Sequence, residues 1–374
     1  MRCCPRRWFA GDSTGTGKIG AEADDSRGRR LSMCMTITPE IHNRIAVAAA
    51  LLKAGGTVAF PTETVYGLGA DISNSVAVQR IFEIKKRPAN HPLIVHFADA
   101  SQLYRWAEAV PDQAMALAER FWPGPLTLIL PRSQQIPGYV TGGQDTVGLR
   151  VPDHPIALAL LAELGADRAL AAPSANRFGR VSPTTAAHVR EELGDDLDMI
   201  LDGGPCKIGL ESTIVGFDGQ TAIVLRPGGI SLASLAEVLG SNVVLPDRTR
   251  PSGIRVPGAL ASHYAPMTSL ELLAGEALWQ RALELEARQL RIAVMSWSEQ
   301  EKHFEGAGKD ILNVTMPADA VQYGNLLYAT LRNLDNGQFD RLLIEAPSDD
   351  PAWLAVADRL RRAACTPQLQ PNRT

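Results

Sequence analysis

The sequence predicts a two-domain α/β protein whose larger domain contains a mixed sheet. Apolar segments of strand length alternate along the chain with longer segments of helical periodicity, an order typical of α/β folds. Asp218-Gly219 separates two apolar segments and predicts a hairpin, so some neighbouring strands must be antiparallel. The chain has 374 residues, which exceeds one typical compact domain and makes two domains the expected arrangement.

In the larger domain, the first predicted helix begins after Thr38, a favourable N-cap, with Pro39 in its first turn, and it ends before Gly55. Further helices are predicted at 76–86, 101–109, 111–121, 155–164 and 184–193. Strands are predicted at 57–60, 93–97, 126–130, 146–151, 169–172, 199–201, 213–217 and 222–225.

Residues 241–268 are rich in Pro, Gly and Ser and show no hydrophobic period, which predicts a linker between domains. Strands predicted at 270–273, 292–295 and 342–344 then alternate with helices, the last of them at 353–364. We therefore expect a larger domain at 37–240, the linker at 241–268 and a smaller α/β domain at 269–374.

The N-terminal residues 1–36 differ in composition from the rest, because Arg, Gly, Ser and Asp dominate and no apolar period is present. We expect a disordered extension. The stretch 11–18 contains three glycines and a lysine, but the first glycine is misplaced for a phosphate-binding loop and Ile19 replaces its Ser or Thr.

The composition is that of an ordinary globular protein, with 45% hydrophobic and 21% charged residues. A net charge of -4 argues against a chain-wide nucleic-acid surface but permits a local basic cleft. No apolar segment is long enough to cross a bilayer, so we expect no membrane association. The five cysteines show no metal-binding spacing, which favours reduced thiols and a cytoplasmic location.

The segment 55–69 is the first candidate binding site. Its strand ends at Pro61, and two hydroxyls and a carboxylate follow at Thr62, Glu63 and Thr64. Gly67 and Gly69 would allow another group to approach the backbone closely. Ligands of α/β proteins collect beyond strand ends, so we expect one here, although a simple strand and turn is nearly as compatible.

A cluster of cations, Lys85, Lys86 and Arg87, ends the helix at 76–86 and precedes Pro88. Cations in a last helical turn complement the helix dipole without any ligand. Alternatively, they form a phosphate clamp, for which Arg offers a bidentate fork. His96 lies in an apolar strand, where a packed histidine is more common than a ligand-binding one.

Two further segments combine hydroxyls and cations at strand ends. Ser174 and Asn176 follow a strand and precede a helix, which suits either a turn or an anion site. Arg150 and Arg226 each end an apolar strand, where a guanidinium needs a partner or solvent at its tip. Together these groups indicate a small anionic ligand such as a nucleotide, and no Ser-His-Asp order or metal triad is present in the sequence.

Taken together, these motifs resemble the YrdC-like threonylcarbamoyl-AMP synthases, in the long form with a C-terminal Rossmann-like domain. The similarity covers about residues 37–364. It rests on motifs in the family's order and spacing: PTETVYGLG at 61–69, Lys85-x-Arg87, PLIVH at 92–96, WPGPLT at 122–127, GLRVP at 148–152, SAN at 174–176, SPT at 182–184, ESTI at 211–214, LRPG at 225–228 and HYAP at 263–266.

The resemblance implies an open, twisted mixed sheet with helices and a central cleft. It also implies synthesis of threonylcarbamoyl-adenylate and pyrophosphate from L-threonine, bicarbonate or CO2, and ATP with Mg2+, without a permanently bound cofactor. The product would pass to the downstream tRNA threonylcarbamoyltransferase machinery. A direct contact with tRNA is left open by the resemblance.

The family motifs also imply roles for individual residues. Lys85 and Arg87 would be catalytic by neutralising negative charge at the reacting phosphate. The threonine and carbamate ligands would be Thr62, His96, Arg150, Ser174 and Ser212. ATP would be held by Lys85, Arg87, Thr146, Asn176, Thr184, Arg226 and Tyr264, and no residue is assigned to a protein-bound metal.

Two departures and two alternatives accompany this resemblance. The basic and aromatic stretch usual before His263 is replaced by Ala259-Leu-Ala-Ser262, and the glycines usual before the last helix are replaced at 349–353. A non-catalytic binder of structured RNA could use the same basic cleft, and a related enzyme could carbamoylate a different amine. Tyr264 is expected to close over the nucleotide, although it could simply dock the linker on the second domain.

Overall fold

The computed structural model describes residues 37–246, 253–298 and 311–365. Within these ranges the larger sheet has ten strands: β1 (Val58–Phe60), β2 (Gly67–Asp71), β3 (Ile94–His96), β4 (Leu126–Pro131), β5 (Thr146–Arg150), β6 (Leu170–Ala171), β7 (Met199–Ile200), β8 (Thr213–Asp218), β9 (Thr221–Arg226) and β10 (Val243–Val244). The accompanying helices are α1 (Pro39–Lys53), α2 (Ser75–Lys85), α3 (Leu103–Trp106), α4 (Asp112–Phe121), α5 (Pro155–Leu164), α6 (Ala186–Leu193) and α7 (Leu232–Leu239).

The larger sheet is mixed, as the sequence predicts. Its strand order is β10-β9-β8-β4-β5-β3-β6-β2-β1-β7. β3 pairs with β5 in parallel, while β8 and β9 form the antiparallel hairpin predicted from Asp218-Gly219. Because β3 and β5 are parallel, His96 and Arg150 are register partners at the same edge of the sheet.

Helix α2 shows how local sequence places a candidate site residue. The Asn74 side chain caps its start by accepting from the backbone N–H groups of Val76 and Ala77. Lys86 ends it in the left-handed conformation, with a φ of 51°. The buried stripe includes Val78, Ile81 and Phe82, and it extends to Lys85. The helix end therefore directs a cation into the protein.

The second sheet comprises four parallel strands, in the order β11 (Leu270–Leu273), β14 (Arg341–Glu345), β12 (Ile292–Ser296) and β13 (Ile311–Thr315). Helix α8 (Gly275–Glu286) packs on Ile292 and Val294, whereas helices α9 (Ala320–Asp335) and α10 (Leu354–Ala364) pack on Ala293 and Met295. Alternate residues of one strand face opposite sides, so helices cover both faces. These strands and helices are called the second domain below.

Several elements differ from the predictions. Strands β2, β10 and β13 and helix α7 were not predicted, and the helix predicted at 101–109 is reduced to α3 after one 3-10 turn. Gly69 of β2 does allow a close approach, but the approaching group is a side chain. A Cβ on Gly69 would lie 2.9 Å from a ring carbon of Phe60.

The second domain contacts the larger sheet and its loops directly. Asn325 of α9 donates to the backbone carbonyls of Cys206 and Lys207, at 3.2 and 2.7 Å. Gly209 has a φ of +76°, and a Cβ there would lie 2.4 Å from the carbonyl oxygen of Asn325. Arg180 pairs with Asp335 at 3.0 Å. These contacts hold α9 against the loops around the candidate site.

The described part of the linker bridges both domains. The Arg255 backbone N–H donates to the Gln144 side chain, which in turn donates to the Arg255 carbonyl, at 2.7 and 3.0 Å. The His263 N–H donates to the carbonyl of Arg362 in α10, at 3.3 Å. Residues 247–252 of the linker lie outside the described residues, as do the predicted extension at 1–36 and the stretch 11–18.

None of the helices in the described ranges combines the length and hydrophobicity needed to cross a bilayer.

Candidate functional site

A cavity of about 50 Å³ lies where several strands of the larger sheet end. Its walls come from the β1–β2 loop, the ends of β3, β5 and β9, the loops after β6 and before β8, and the linker. The structure brings eight of the predicted site residues to this strand-end cavity: Thr62, Arg87, His96, Arg150, Ser174, Ser212, Arg226 and Tyr264.

Arg87 is the cation of the helix-end cluster that reaches the strand-end cavity. It is buried, its Nη2 donates to the Pro92 carbonyl at 2.8 Å, and its guanidinium lies 5.7 Å from the ring centre of Phe178. Burial lowers the pKa of Arg87 to about 10, so the side chain still carries its charge at neutral pH. Lys86, by contrast, is exposed. The helix-dipole interpretation therefore suits Lys86, and the clamp interpretation suits Arg87.

Arg150 is held by a buried carboxylate. Its Nη2 donates to Glu63 at 2.7 Å and to the Thr64 hydroxyl at 2.9 Å, and its Nε donates to the Gly124 carbonyl at 3.3 Å. The other Glu63 oxygen accepts from the Asp153 backbone N–H at 3.0 Å. Glu63 thus offsets the charge of Arg150 and fixes the guanidinium in the cavity wall.

Arg226 connects the linker to the start of β8. Its guanidinium donates to the Ser212 carbonyl at 2.8 and 3.3 Å, to the Ser212 hydroxyl at 3.2 Å and to the Pro257 carbonyl at 2.9 Å. The Ser212 hydroxyl also lies 2.8 Å from that of Thr127. Arg226 therefore sets where the linker closes one side of the cavity.

Four of the residues around the strand-end cavity carry buried polar atoms without a hydrogen-bond partner: Arg87 Nε, His96 Nδ1, His263 Nδ1 and Tyr264 Oη. Nearly all buried polar groups in folded proteins are paired, so such a concentration around one cavity points to a polar ligand. Burial, together with nearby arginine charges, lowers the pKa values of His96 and His263 to about 3. Both imidazoles are therefore neutral, and the positive charge of the cavity comes from arginines.

Lys85 lies behind the cavity wall. It is buried, and its ammonium donates to the carbonyls of Ser174 and Asn176, each at 2.5 Å. Burial, followed by the charge of Arg87, lowers the pKa of Lys85 well below its usual value. Lys85 thus holds the loop that carries Ser174, and its predicted contact with ATP stays a prediction.

Three other predicted ATP ligands also lie outside the residues that line this cavity. Asn176 donates to the carbonyls of Arg177 and Arg180 at 2.7 and 3.0 Å, and its own side-chain oxygen has no partner. The Thr184 hydroxyl lies 3.4 Å from His188 Nδ1. Thr146 lines a smaller neighbouring cavity. Their assignment to ATP stays a prediction.

Comparison with known proteins places the chain in a family. The family model Sua5_yciO_yrdC, described as "Telomere recombination", matches residues 50–228. The model Sua5_C, "Threonylcarbamoyl-AMP synthase, C-terminal domain", matches residues 230–365. The chain belongs to the Sua5/YciO/YrdC family. It has the two-domain form, because both models match in sequence order.

Relatives and a solved structure of the Sua5/YciO/YrdC family cover most of the chain. The threonylcarbamoyl-AMP synthase of Pyrococcus abyssi is 40% identical over 341 residues, which are 88% of this chain and 98% of that protein. The Bacillus subtilis threonylcarbamoyl-AMP synthase is 40% identical over 328 residues, covering 86% and 93%. The crystal structure of P. abyssi Sua5 complexed with L-threonine matches with a TM-score of 0.77 and 36% identity, covering 86% of this chain and 94% of that chain.

The strand-end cavity is also lined by residues for which no ligand role was predicted from the sequence: Val65, Gly67, Ile94, Ala172, Pro173, Glu211, Pro257, Gly258 and His263. Glu211 begins the 211–214 motif, but nothing local indicates that its side chain faces a cavity. Gly258 is required for packing, since a Cβ there would lie 2.0 Å from the Tyr264 hydroxyl. Its φ of +76° is a signal that only the backbone conformation reveals.

Within the parts of the chain that the structure describes, no group of three or more His, Cys, Asp or Glu side chains is arranged to hold a metal ion. The strand-end cavity instead presents three arginines, several hydroxyls and two neutral imidazoles. Such donors suit carboxylate and phosphate groups, and they can stabilise negative charge that develops during a reaction.

Proposed function

We propose that this protein is a threonylcarbamoyl-AMP synthase, which forms L-threonylcarbamoyl-adenylate and pyrophosphate from L-threonine, bicarbonate or CO2, and ATP. One observation carries the proposal: the strand-end cavity combines arginines with unpartnered buried polar atoms in a chain 40% identical to two enzymes of that name. The L-threonine bound to the related P. abyssi structure supports the identity of the amino acid.

The reaction proceeds in two steps. The neutral form of the threonine amine attacks CO2, a new N–C bond forms, and the proton lost from nitrogen passes to solvent, which gives a carbamate. A carbamate oxygen then attacks the α-phosphorus of ATP, a new O–P bond forms, and the bond to the bridging oxygen breaks to release pyrophosphate. Holding the unstable carbamate against ATP supplies effective molarity.

The arginines offset the charge that accumulates on the phosphates. Arg87 is the best placed of them for this role, because its Nε has no protein partner and its charge is retained at neutral pH. Thr62, Ser174 and Ser212 offer hydroxyls to the threonine and its carbamate. Arg150 would face the amino-acid carboxylate while Glu63 keeps its guanidinium in place.

Mg2+ would enter with ATP. The carboxylates near the cavity are already engaged, since Glu63 pairs with Arg150 and Glu211 accepts from Arg359. A magnesium ion held mainly by phosphate oxygens and water fits this arrangement. We further propose a cytoplasmic location and transfer of the product to the tRNA-modifying machinery.

Pyrophosphate release and nucleotide products can be measured with ATP and Mg2+, adding threonine and bicarbonate singly and together. We expect pyrophosphate and a new adenylate only when both are present. Serine and N-methyl-threonine, each tested in place of threonine, show which amine the enzyme prefers. RNA binding with a steep salt dependence, without threonine-dependent turnover of ATP, would support the non-catalytic alternative. Turnover with another amine in preference to threonine would support the related-enzyme alternative.

A further inference from the structure

Glu211 is a buried carboxylate in the wall of the strand-end cavity, and the second domain supplies two of its three side-chain donors. The Ser182 hydroxyl of the larger domain donates to it at 2.6 Å. Tyr328 of α9 donates to its other oxygen at 2.9 Å, and Arg359 Nε of α10 donates to that same oxygen at 2.8 Å. A side chain in the cavity wall is therefore held from outside the larger sheet.

Arg359 also contacts the linker and the loop after β9. Its guanidinium lies 4.9 Å from the ring centre of Tyr264, a cation–π arrangement. Its Nη2 donates to the Pro227 carbonyl at 3.0 Å, directly after Arg226, which itself ties Ser212 to the linker. At 1% exposure, Arg359 has no solvent to replace these partners.

We propose that Arg359 is a positioning residue, through which the second domain holds Glu211 and the Tyr264 ring in place in the cavity wall. The kinetic part of this inference rests on the proposed function. Arg359 does not line the cavity, so it acts on substrates through Glu211 and Tyr264. The second domain therefore contributes to the geometry of the site.

The charges that face Glu211 give this role a measurable signature. Arg359 comes from α10, Tyr328 from α9, Arg226 from β9, and His263 and Tyr264 from the linker. Burial alone would raise the pKa of Glu211, but Arg359 and then Arg226 hold it at about 2. Without Arg359 that pKa must rise, because burial still raises it while Arg226 is then the remaining arginine that lowers it.

The test compares Arg359→Met with the double variant Arg359→Met/Glu211→Gln between pH 5 and 8.5. We expect Arg359→Met to raise the KM for threonine tenfold or more at pH 8.5, with a smaller change in kcat. This defect should shrink as pH falls and Glu211 takes up a proton. The double variant has no carboxylate to titrate, so its KM relative to that of the parent should not depend on pH.

Two further variants control for general damage. Arg361→Met changes an exposed arginine of the same helix and should leave KM and kcat at parental values. Arg359→Lys keeps the charge but cannot reach Glu211 and Pro227 together, so we expect a smaller rise in KM with no pH-dependent component. If Arg359→Met does not fold, the kinetics of Arg359→Lys provide the test instead.

A defect that is equal at every pH and unchanged by Glu211→Gln would overturn the proposal, because Arg359 would then only dock the domain. A parental KM in Arg359→Met would overturn it as well. If the parent itself releases no pyrophosphate, the proposed function fails, and the melting temperature gives the answer about Glu211. A raised folded-state pKa costs stability as pH rises, so Arg359→Met should melt lower at pH 8.5 than at pH 5 relative to the double variant. Equal differences at both pH values would then reject the role of Arg359.

Discussion

The ring of Tyr264 in the linker stacks on the ring of Tyr328 in α9, with ring centres 5.8 Å apart and an interplanar angle of 23°. Tyr264 also lines the strand-end cavity, and its hydroxyl has no hydrogen-bond partner. The two interpretations of this residue in the sequence are therefore not exclusive. Its ring docks the linker on the second domain, and its hydroxyl is available to a ligand.

Tyr264→Phe should separate those two functions. The variant keeps the stacked ring, so we expect the melting temperature of the free protein to stay within about a degree of the parent. Losing the hydroxyl should weaken ATP binding roughly three- to tenfold, the cost of one hydrogen bond. Calorimetric titration with ATP and threonine measures this. Tyr264→Ala is the comparison, since it also removes the ring and should lower the melting temperature.

Ligand-dependent protection of the linker follows from the same contact. If the linker closes the cavity, saturating ATP and threonine should slow proteolysis within residues 251–266. Mass spectrometry of the fragments identifies the cleavage site. Equal cleavage rates with and without both substrates, together with unchanged ATP affinity in Tyr264→Phe, would leave the linker as a tether only.

Arg87→Met should reduce kcat/KM for adenylate formation by about 10- to 100-fold, since a charge-assisted hydrogen bond contributes about 1.5–3 kcal/mol. Lys86→Met is the matched control, because Lys86 ends the same helix but is exposed. Initial rates of pyrophosphate release measure both. Parental activity in Arg87→Met would contradict the phosphate clamp and would show that the helix-end cations only stabilise α2.

Lys85→Met should impair both stability and activity. The carbonyls of Ser174 and Asn176 would lose their Lys85 donor, which costs about 1–3 kcal/mol. The loop after β6 would then no longer hold Ser174 firmly in the cavity wall. Thermal unfolding and steady-state kinetics measure the two effects. A large loss of activity at an unchanged melting temperature would favour a direct contact with ATP, as the sequence motif predicts.

His96 should make the folded state sensitive to acid. Its pKa falls from 6.5 to about 3 on folding, so the unfolded chain takes up a proton that the folded protein excludes as pH drops below 6.5. The contribution of neutral His96 to the free energy of unfolding is present above pH 6.5. It is lost at up to about 1.4 kcal/mol per pH unit as the pH falls towards 3. Between pH 7 and 5, His96→Asn should therefore lose about 2 kcal/mol less unfolding free energy than the parent. Equal losses in urea titrations would show that His96 is protonated in the folded protein.

Gly69→Ala should destabilise the larger domain. The added methyl group would press on the Phe60 ring at 2.9 Å, in a strand buried on both sides, and overpacking of this kind costs about 1–3 kcal/mol. Gly138→Ala is the control, because a Cβ there meets no heavy atom within 4 Å. Differential scanning calorimetry should show a lower melting temperature for the first variant and no decrease for the second.

The sequence by itself determined most of the helices and strands and the order of the motifs. The cap at Thr38, the helix Pro155–Leu164 and the hairpin at Asp218-Gly219 all follow from local rules of capping, periodicity and turn formation. The family resemblance in those motifs was also sufficient to predict that Arg87, His96 and Arg150 meet in one site.

Only the tertiary structure decided which groups support that site. The partner of Glu211 is Arg359, 148 residues away, and nothing in the period of α10 distinguishes this arginine from the exposed Arg361. Strand β2 was missed because Gly67 and Gly69 have low strand propensity, and the Phe60 ring that occupies the space beside them comes from another strand. Local patterns report backbone preference and the buried face of an element. The partners of a buried charge depend on how two domains dock, and that is decided by surfaces far apart in the chain.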